Sequence, residues 1–233
     1  MDISVLEDRA AIAVSRLRRL GIELTGEEER IIYDASKLLG RALGKIKRVF
    51  PPGHGVEHMF RVLEISIVLC KKYGGDLTRV VLASLFHDIM RGEENHAEKS
   101  AIFAQEFLKN TEFSIYAEDI ATIIREHSYS YSRHASCIES QILQDADRLD
   151  ALGAIGIARV FSFGAYRGRD LYDFVNPRMG GSLAHFYEKI LKLPELMNTP
   201  LARIIAKRRV GIIRWFLKNI LCEINLEDFH GDV

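Results

Sequence analysis

Five of the eight histidines in this 233-residue chain fall between positions 54 and 127: His54, His58, His87, His96 and His127. Imidazole serves as metal ligand, general acid and general base, so their crowding is the first chemical signal. His54 and His58 stand four apart across the expected start of a helix, and His87-Asp88 closes the next one, directly after the apolar run Val80–Phe86. A third polar cluster, Asp145-Ala146-Asp147-Arg148-Leu149-Asp150, interrupts an otherwise apolar helical pattern. Each cluster puts ionisable groups where the surrounding stripe expects core, and an unpaired buried charge costs several kcal/mol. A divalent cation met by imidazoles and carboxylates from three helices answers all three interruptions together. Taken singly, each has a plainer reading. A lone helical histidine such as His54 or His134 is usually structural, an adjacent His-Asp is common by chance, and the three aspartates fit a solvated face paired with Arg148.

The elements that must position these groups are helical. Glu27–Phe50 carries Ile31, Ile32, Ala35, Leu38, Leu39, Ala42, Leu43 and Ile46 at helical spacing, and Pro51-Pro52-Gly53 is expected to stop it. Val56–Tyr73 repeats the pattern and ends at Gly74-Gly75. Asp76 reads as the N-cap of Leu77–Met90, Asn95 as the cap of a helix to about Lys109, and Ser114 as the cap of Ile115 to about His127. Ser136–Phe163 reads as one long helix with a small-residue face (Ala151, Gly153, Ala154, Gly156, Ala158), and Gly164–Gly181 as the one long irregular stretch. Helices resume over Ser182–Leu193 and Pro200–Ile224. No segment alternates as a strand would. The expected fold is all-α, with 1–47 forming a helical extension packed on a main domain of 48–225.

Lys+Arg and Asp+Glu balance at 32 each, so no bulk field favours nucleic acid or anionic lipid, and any bound anion must be gathered locally. The longest uncharged apolar runs, Val80–Phe86 and Ala151–Ala158, fall far short of the ~20 residues of a membrane span. Met1-Asp2-Ile3-Ser4 lacks the basic start and apolar core of a signal peptide. Cys70, Cys137 and Cys222 lie far apart in apolar sequence, as reduced thiols do. A cytoplasmic globule is expected.

His58 with Arg61-Val62 behind it, then Ala83-Ser84-Leu85-Phe86-His87-Asp88-Ile89, then Asp145 through Asp150, resembles the H…HD…D signature of the HD-domain metal-dependent phosphohydrolases. The likeness extends to Glu126-His127-Ser128-Tyr129-Ser130, to Gln144–Arg159 (QDADRLDALGAIGIAR), to His185–Lys189 and to Leu196–Thr199. These segments are similar to one bacterial and archaeal branch of that superfamily, some of whose members are implicated in hydrolysing nucleoside triphosphates or other phosphate esters. The similarity spans roughly 50–225 and implies an HD-domain-like multi-helix bundle.

Carried over residue by residue, the resemblance implies metal ligands His58, His87, Asp88 and Asp147. Asp147 precedes the basic Arg148, as the family's last aspartate typically precedes a basic residue. Asp145 stands about 200° away round the helix, so the two do not suit one ion. Relatives often have His-Asp-x-x-His where this chain has His54-Gly55-Val56-Glu57-His58, which leaves an imidazole short of a supporting carboxylate. The mixed donor set admits Mn, Mg, Fe, Ni, Co or Zn, with Mn or Mg favoured. His96 and His127 are candidates for acid/base work or for a second ion, and Glu93 and Glu94 for orienting a water. Arg148 is the leading cation for phosphate, followed by Arg61, Arg125, and Arg167, Arg169 and Arg178 of the irregular stretch. The glycines there would admit an anion or let the segment close as a lid. Tyr129, Tyr131, Tyr166 and Tyr172 could stack a base.

The expected function is divalent-metal phosphohydrolysis of a small phosphorylated molecule, foremost a nucleotide. A triphosphate would be cut to monophosphate and pyrophosphate, or a monophosphate to nucleoside and phosphate. The alternative is a non-catalytic ligand-sensing or assembly module stiffened by its metal. His54–His58 also fits the H-x-x-E-H of inverted zinc peptidases, but the prolines before it spoil the helix that motif needs, and His87-Asp88 would be left idle. Arg203–Arg209 (RIIAKRR) is basic, yet Ile204, Ile205 and Val210 read as a buried face, so nucleic acid is not the expected partner. The small-residue face could also serve a homodimer.

Overall fold

The structure is a computed structural model, and it describes residues 3–47, 49–128 and 135–229. It is 74% helical, with no strand among the described residues. The chain divides into two compact units, 1–147 and 148–233.

In the first unit, α1 (Ile3–Arg19), α2 (Gly26–Ile46), α3 (Val56–Tyr73), α4 (Leu77–Phe86), α5 (His96–Leu108) and α6 (Ala117–Glu126) precede α7 (Ile138–Asp150), inside which the unit boundary falls. α4 is the hub, packing against α2, α3, α5 and α6. Its sequence explains that position, because Val80, Val81, Leu82, Ala83, Leu85 and Phe86 are all buried. Burial of a large apolar side chain stabilises by roughly 1.5–3 kcal/mol. The Asp76 carboxylate caps α4 as expected, accepting from the Arg79 amide at 3.1 Å. Thr25 and Glu28 form a reciprocal capping box that starts α2. Residues 3–46 pack within this same unit, through α1 on α2 and α3 and through α2 on α4.

Several expected boundaries are corrected. α2 ends at Ile46, before the prolines, because Lys47 turns into the left-handed region (φ 43°) and returns its amide to the Leu43 carbonyl. α4 ends at Phe86 rather than Met90, since the Ile89 and Arg91 amides reach back only three residues, to the Phe86 and Asp88 carbonyls. Asn95 precedes α5 with a left-handed backbone and no side-chain cap, and Ser114 opens a 3-10 turn rather than α6. The long helix expected over 136–163 is two, α7 and α8 (Gly153–Tyr166). The corner is Leu152, extended, followed by Gly153 at φ 73°.

In the second unit α8 packs on α9 (Gly181–Glu188) and on α10 (Pro200–Ile224), with a 3-10 segment, Ile190–Leu196, between α9 and α10. Phe161, Phe186 and Phe216 meet with ring centroids 5.7–6.1 Å apart. Of the expected buried face of α10, Val210 is buried, together with Ala202, Ala206, Ile213 and Leu217, while Ile205 is half-buried and Ile204 is half exposed. Because α8 continues to Tyr166, Gly164 is a packing residue rather than a lid hinge: a Cβ there would lie 2.0 Å from the Ser182 hydroxyl. No single helix among the described residues is long and apolar enough to cross a membrane.

A Cβ on Gly156 would lie 2.2 Å from the Ala151 carbonyl oxygen, a backbone atom at the corner that ends α7. Gly156→Ala is therefore expected to lose about 1–3 kcal/mol, as overpacked sites do, read as a lower urea midpoint. An unchanged midpoint would contradict the close approach.

Candidate metal centre

Four elements of the first unit deliver one cluster. His58 stands on the first turn of α3, and His87-Asp88 follows the last turn of α4. His127 is the C-cap of α6, and Asp147 lies on α7. His58, His87 and Asp88 are at most 1% exposed, while the Asp147 side chain is 29% exposed and opens the cluster to solvent. The Nε2 atoms of His58 and His87 face each other at 3.1 Å. Asp88 Oδ2 lies 3.6 Å from His58 Nε2 and 3.9 Å from His87 Nε2, and Asp147 Oδ1 lies 3.4 Å from His58 Nε2. His58, His87 and Asp88 are thus grouped closely enough to hold a divalent cation once drawn in around it, and Asp147 approaches them from the His58 side.

The protonation pattern agrees. His87 Nδ1 sits 2.8 Å from the Ser84 carbonyl, which can only accept, so Nδ1 carries the hydrogen. Burial, aided by His127 and His58, pushes the His87 imidazolium down to about 3 against the pull of Asp88. The neutral ring therefore presents its Nε2 lone pair to the cluster, oriented by a backbone partner. Burial works against the Asp88 charge, yet Arg91, His87 and the contacts of His127 and His58 hold its carboxyl well below the usual carboxylate range. Asp147 is lowered likewise: burial opposes its charge, and His58, His87 and His127 outweigh that.

His127 differs. Its Nδ1 donates to the Ile124 carbonyl at 2.6 Å and its Nε2 lies 3.7 Å from Asp88 Oδ1. Burial alone would lower it, but contact with Asp88 and the charges of Asp88 and Asp147 raise it above its ordinary value. Burial, together with Arg91 and His127, pushes His96 down to about 4 in spite of Asp88. A second grouping that shares Asp88, namely Asp88, His96 and His127, thus adjoins the first.

The remaining expected residues are placed as follows. Asp145 is fully buried, and Asp150 is buried and paired with Arg159 at 2.7 Å, so neither is a surface charge. Arg148 donates to the Leu196 carbonyl. Arg61 lines a separate hollow of about 220 Å³ with Arg9, Arg16, Glu57 and Glu64. Glu57, the carboxylate of the H-x-x-E-H pattern, is exposed and paired with Arg9 at 2.9 Å. Glu93 pairs with Lys99 at 2.8 Å, Glu94 is exposed, and Arg125 pairs with Glu98 at 2.9 Å. Arg167 and Arg169 are exposed in the second unit, Arg167 over the Phe163 ring, while Arg178 stands over Tyr187. Tyr166 is exposed and Tyr172 half-buried. Tyr129, Ser130, Tyr131 and His134 lie outside the described residues. Cys70 is buried and its thiol pushed up to about 11 by burial, while Cys137 and Cys222 are half-buried, and all three are free.

Residues 55–152 match the HD domain family model. YpgQ of Bacillus subtilis is 30% identical over 175 residues, which are 72% of this chain and 83% of that one. The chain belongs to the HD-domain superfamily. Among solved structures of its relatives, one from Lactobacillus plantarum has a TM-score of 0.70 at 28% identity and covers 88% of this chain and 100% of that chain. An HD-superfamily hydrolase from Bacillus thuringiensis has a TM-score of 0.63 at 34% identity, covering 85% and 98%. YpgQ solved in complex with ADP has a TM-score of 0.66 at 29% identity, covering 84% and 98%. Like the other HD-superfamily proteins, this chain is hydrolase-like in fold, and it carries a His/Asp cluster able to hold a divalent metal.

The residue that sequence reasoning passed over is Arg91. It follows Asp88 by three positions, and its side chain reaches Asp88, His96 and His54. The only signal for it was that one-turn spacing from the aspartate.

A ligand that binds only the folded state at 100 times its Kd stabilises by about 2.7 kcal/mol. Mn²⁺ at that excess is expected to raise the unfolding free energy of the protein by this amount and to leave His87→Ala unmoved, measured by chemical denaturation. An equal rise in the variant would contradict ligation by His87.

Proposed function

We propose that this protein is a divalent-metal phosphohydrolase acting on a small phosphorylated molecule, foremost a nucleotide, with His58, His87, Asp88 and Asp147 as the ligands. The observation that carries the reading is the convergence of the Nε2 atoms of His58 and His87 with the carboxylates of Asp88 and Asp147, the latter open to solvent, beside His127, whose contact with Asp88 raises it above its ordinary value. The ADP held by YpgQ supports a nucleotide as the substrate class. The bond cut is either the α–β anhydride of a triphosphate, releasing pyrophosphate, or the ester of a monophosphate, releasing the nucleoside.

A bound ion would polarise a phosphate oxygen and acidify a water. Hydrolysis adds water across a P–O bond, so the attacking oxygen loses a proton and the leaving oxygen gains one. His127, fixed by the Ile124 carbonyl and raised above its ordinary value by Asp88, is the proton donor suited to the leaving oxygen. The attacking oxygen's proton leaves to solvent on the open Asp147 side, while His96, whose Nε2 accepts from Arg91 at 2.8 Å, stands beside Asp88 Oδ1. Arg148, Arg167 and Arg169 are the proposed phosphate partners. Arg61 is a weaker one, engaged by the charges of Glu57 and Glu64.

The test incubates the protein with Mn²⁺ or Mg²⁺ and nucleoside mono-, di- and triphosphates, and reads the products by phosphorus NMR. Release of phosphate or pyrophosphate is expected, with His127→Asn slower by about 10²–10⁴-fold, the usual worth of a general acid. No release across the panel by metal-loaded protein would overturn the reading.

A further inference from the structure

Asp88 divides its two oxygens between two cation positions. Oδ2 faces His58 and His87, while Oδ1 faces His96 at 3.5 Å, His127 at 3.7 Å and the Arg91 guanidinium at 3.4 Å. Arg91 Nη1 donates to His96 Nε2 at 2.8 Å, and Nη2 to His54 Nε2 at 3.1 Å. These are the lone pairs of neutral donors, turned toward a fixed positive charge. An ion held by His96 and Asp88 Oδ1 would need the same two atoms at about 2.1 Å. It would then collide with Nη1, and arginine cannot shed its charge to make room. His54, on the loop before α3, has this arginine as a partner.

The segment that presents Arg91 is held on both sides. Its amide bonds the Asp88 carbonyl at 2.8 Å, and the Met90 amide bonds the Ser100 hydroxyl at 3.0 Å. Gly92, at φ 99°, packs toward Pro51, so the turn is pinned between the loop that bears His54 and the helix that bears His96.

We infer that the Arg91 guanidinium is the built-in second cation of this centre, bonded to His96, His54 and Asp88 where a second metal ion would otherwise bind. Arg91 thereby sets the stoichiometry at one ion per chain. This rests on the reading of His58, His87, Asp88 and Asp147 as ligands. The guanidinium supplies one positive charge beside the ion, without the geometric demands of a metal, and fixes His96 in place.

The experiment is metal content after equilibration with Mn²⁺ and gel filtration, with folding checked by far-UV circular dichroism. Wild type is expected to hold one ion per chain, Arg91→Ala two, and Arg91→Ala/His96→Ala one again. Arg91→Met keeps the aliphatic stem and gives the same two-ion result should the alanine variant not fold. Two ions in wild type, or one in a folded Arg91→Met, would overturn the proposal while leaving the first site standing. No ion in any of these proteins would overturn the ligand reading itself, and the proposal with it.

Discussion

A single buried carboxylate organises this molecule. Asp88 is 1% exposed, and holding a charge there without compensation would cost several kcal/mol. The chain compensates from every side: His58 and His87 approach one oxygen, and His96, His127 and Arg91 approach the other. Those partners come from the start of α3, the turn after α4, the start of α5 and the end of α6, so four helix ends of the first unit meet at Asp88.

The apolar side of the balance lies in α4. Its buried side chains fasten it to four neighbouring helices, and that packing holds the following His-Asp pair in the interior, where it would not stay by its own preference. Fold and chemistry meet at Phe86–Asp88, the point where helical hydrogen bonding gives way to tighter turns. Such tightening aims His87 and Asp88 at the cluster instead of continuing the helix. A chain with the same apolar helix but no cation or imidazoles around its end would have no reason to bury an aspartate.

Much of this was legible before the structure. The run Val80–Phe86 followed by His-Asp, the Asp76 cap and the Val56–Tyr73 stripe are local patterns, and local patterns set helices. The choice of Asp147 over Asp145 came from the family resemblance and from angular spacing, and Asp147 stands 3.4 Å from His58. What escaped was tertiary. The ends of α2 and α4 depend on a left-handed cap and on three-residue hydrogen bonds that composition does not announce. The corner at Leu152-Gly153 hid inside a continuous helical pattern, because small residues suit a helix and a tight bend equally well. Ile204 read as core by hydropathy, yet the face of α10 that is buried is set by what α8 and the 3-10 segment present to it. Arg91 escaped because its role requires His54, Asp88 and His96 to be neighbours in space.

The most direct test of the central claim is anomalous diffraction from crystals of the protein equilibrated with Mn²⁺, collected at the manganese edge. The account predicts one strong peak per chain, within bonding distance of His58 Nε2, His87 Nε2, Asp88 and Asp147. A fully loaded crystal with no peak between those four side chains, or with its peak elsewhere, would contradict it.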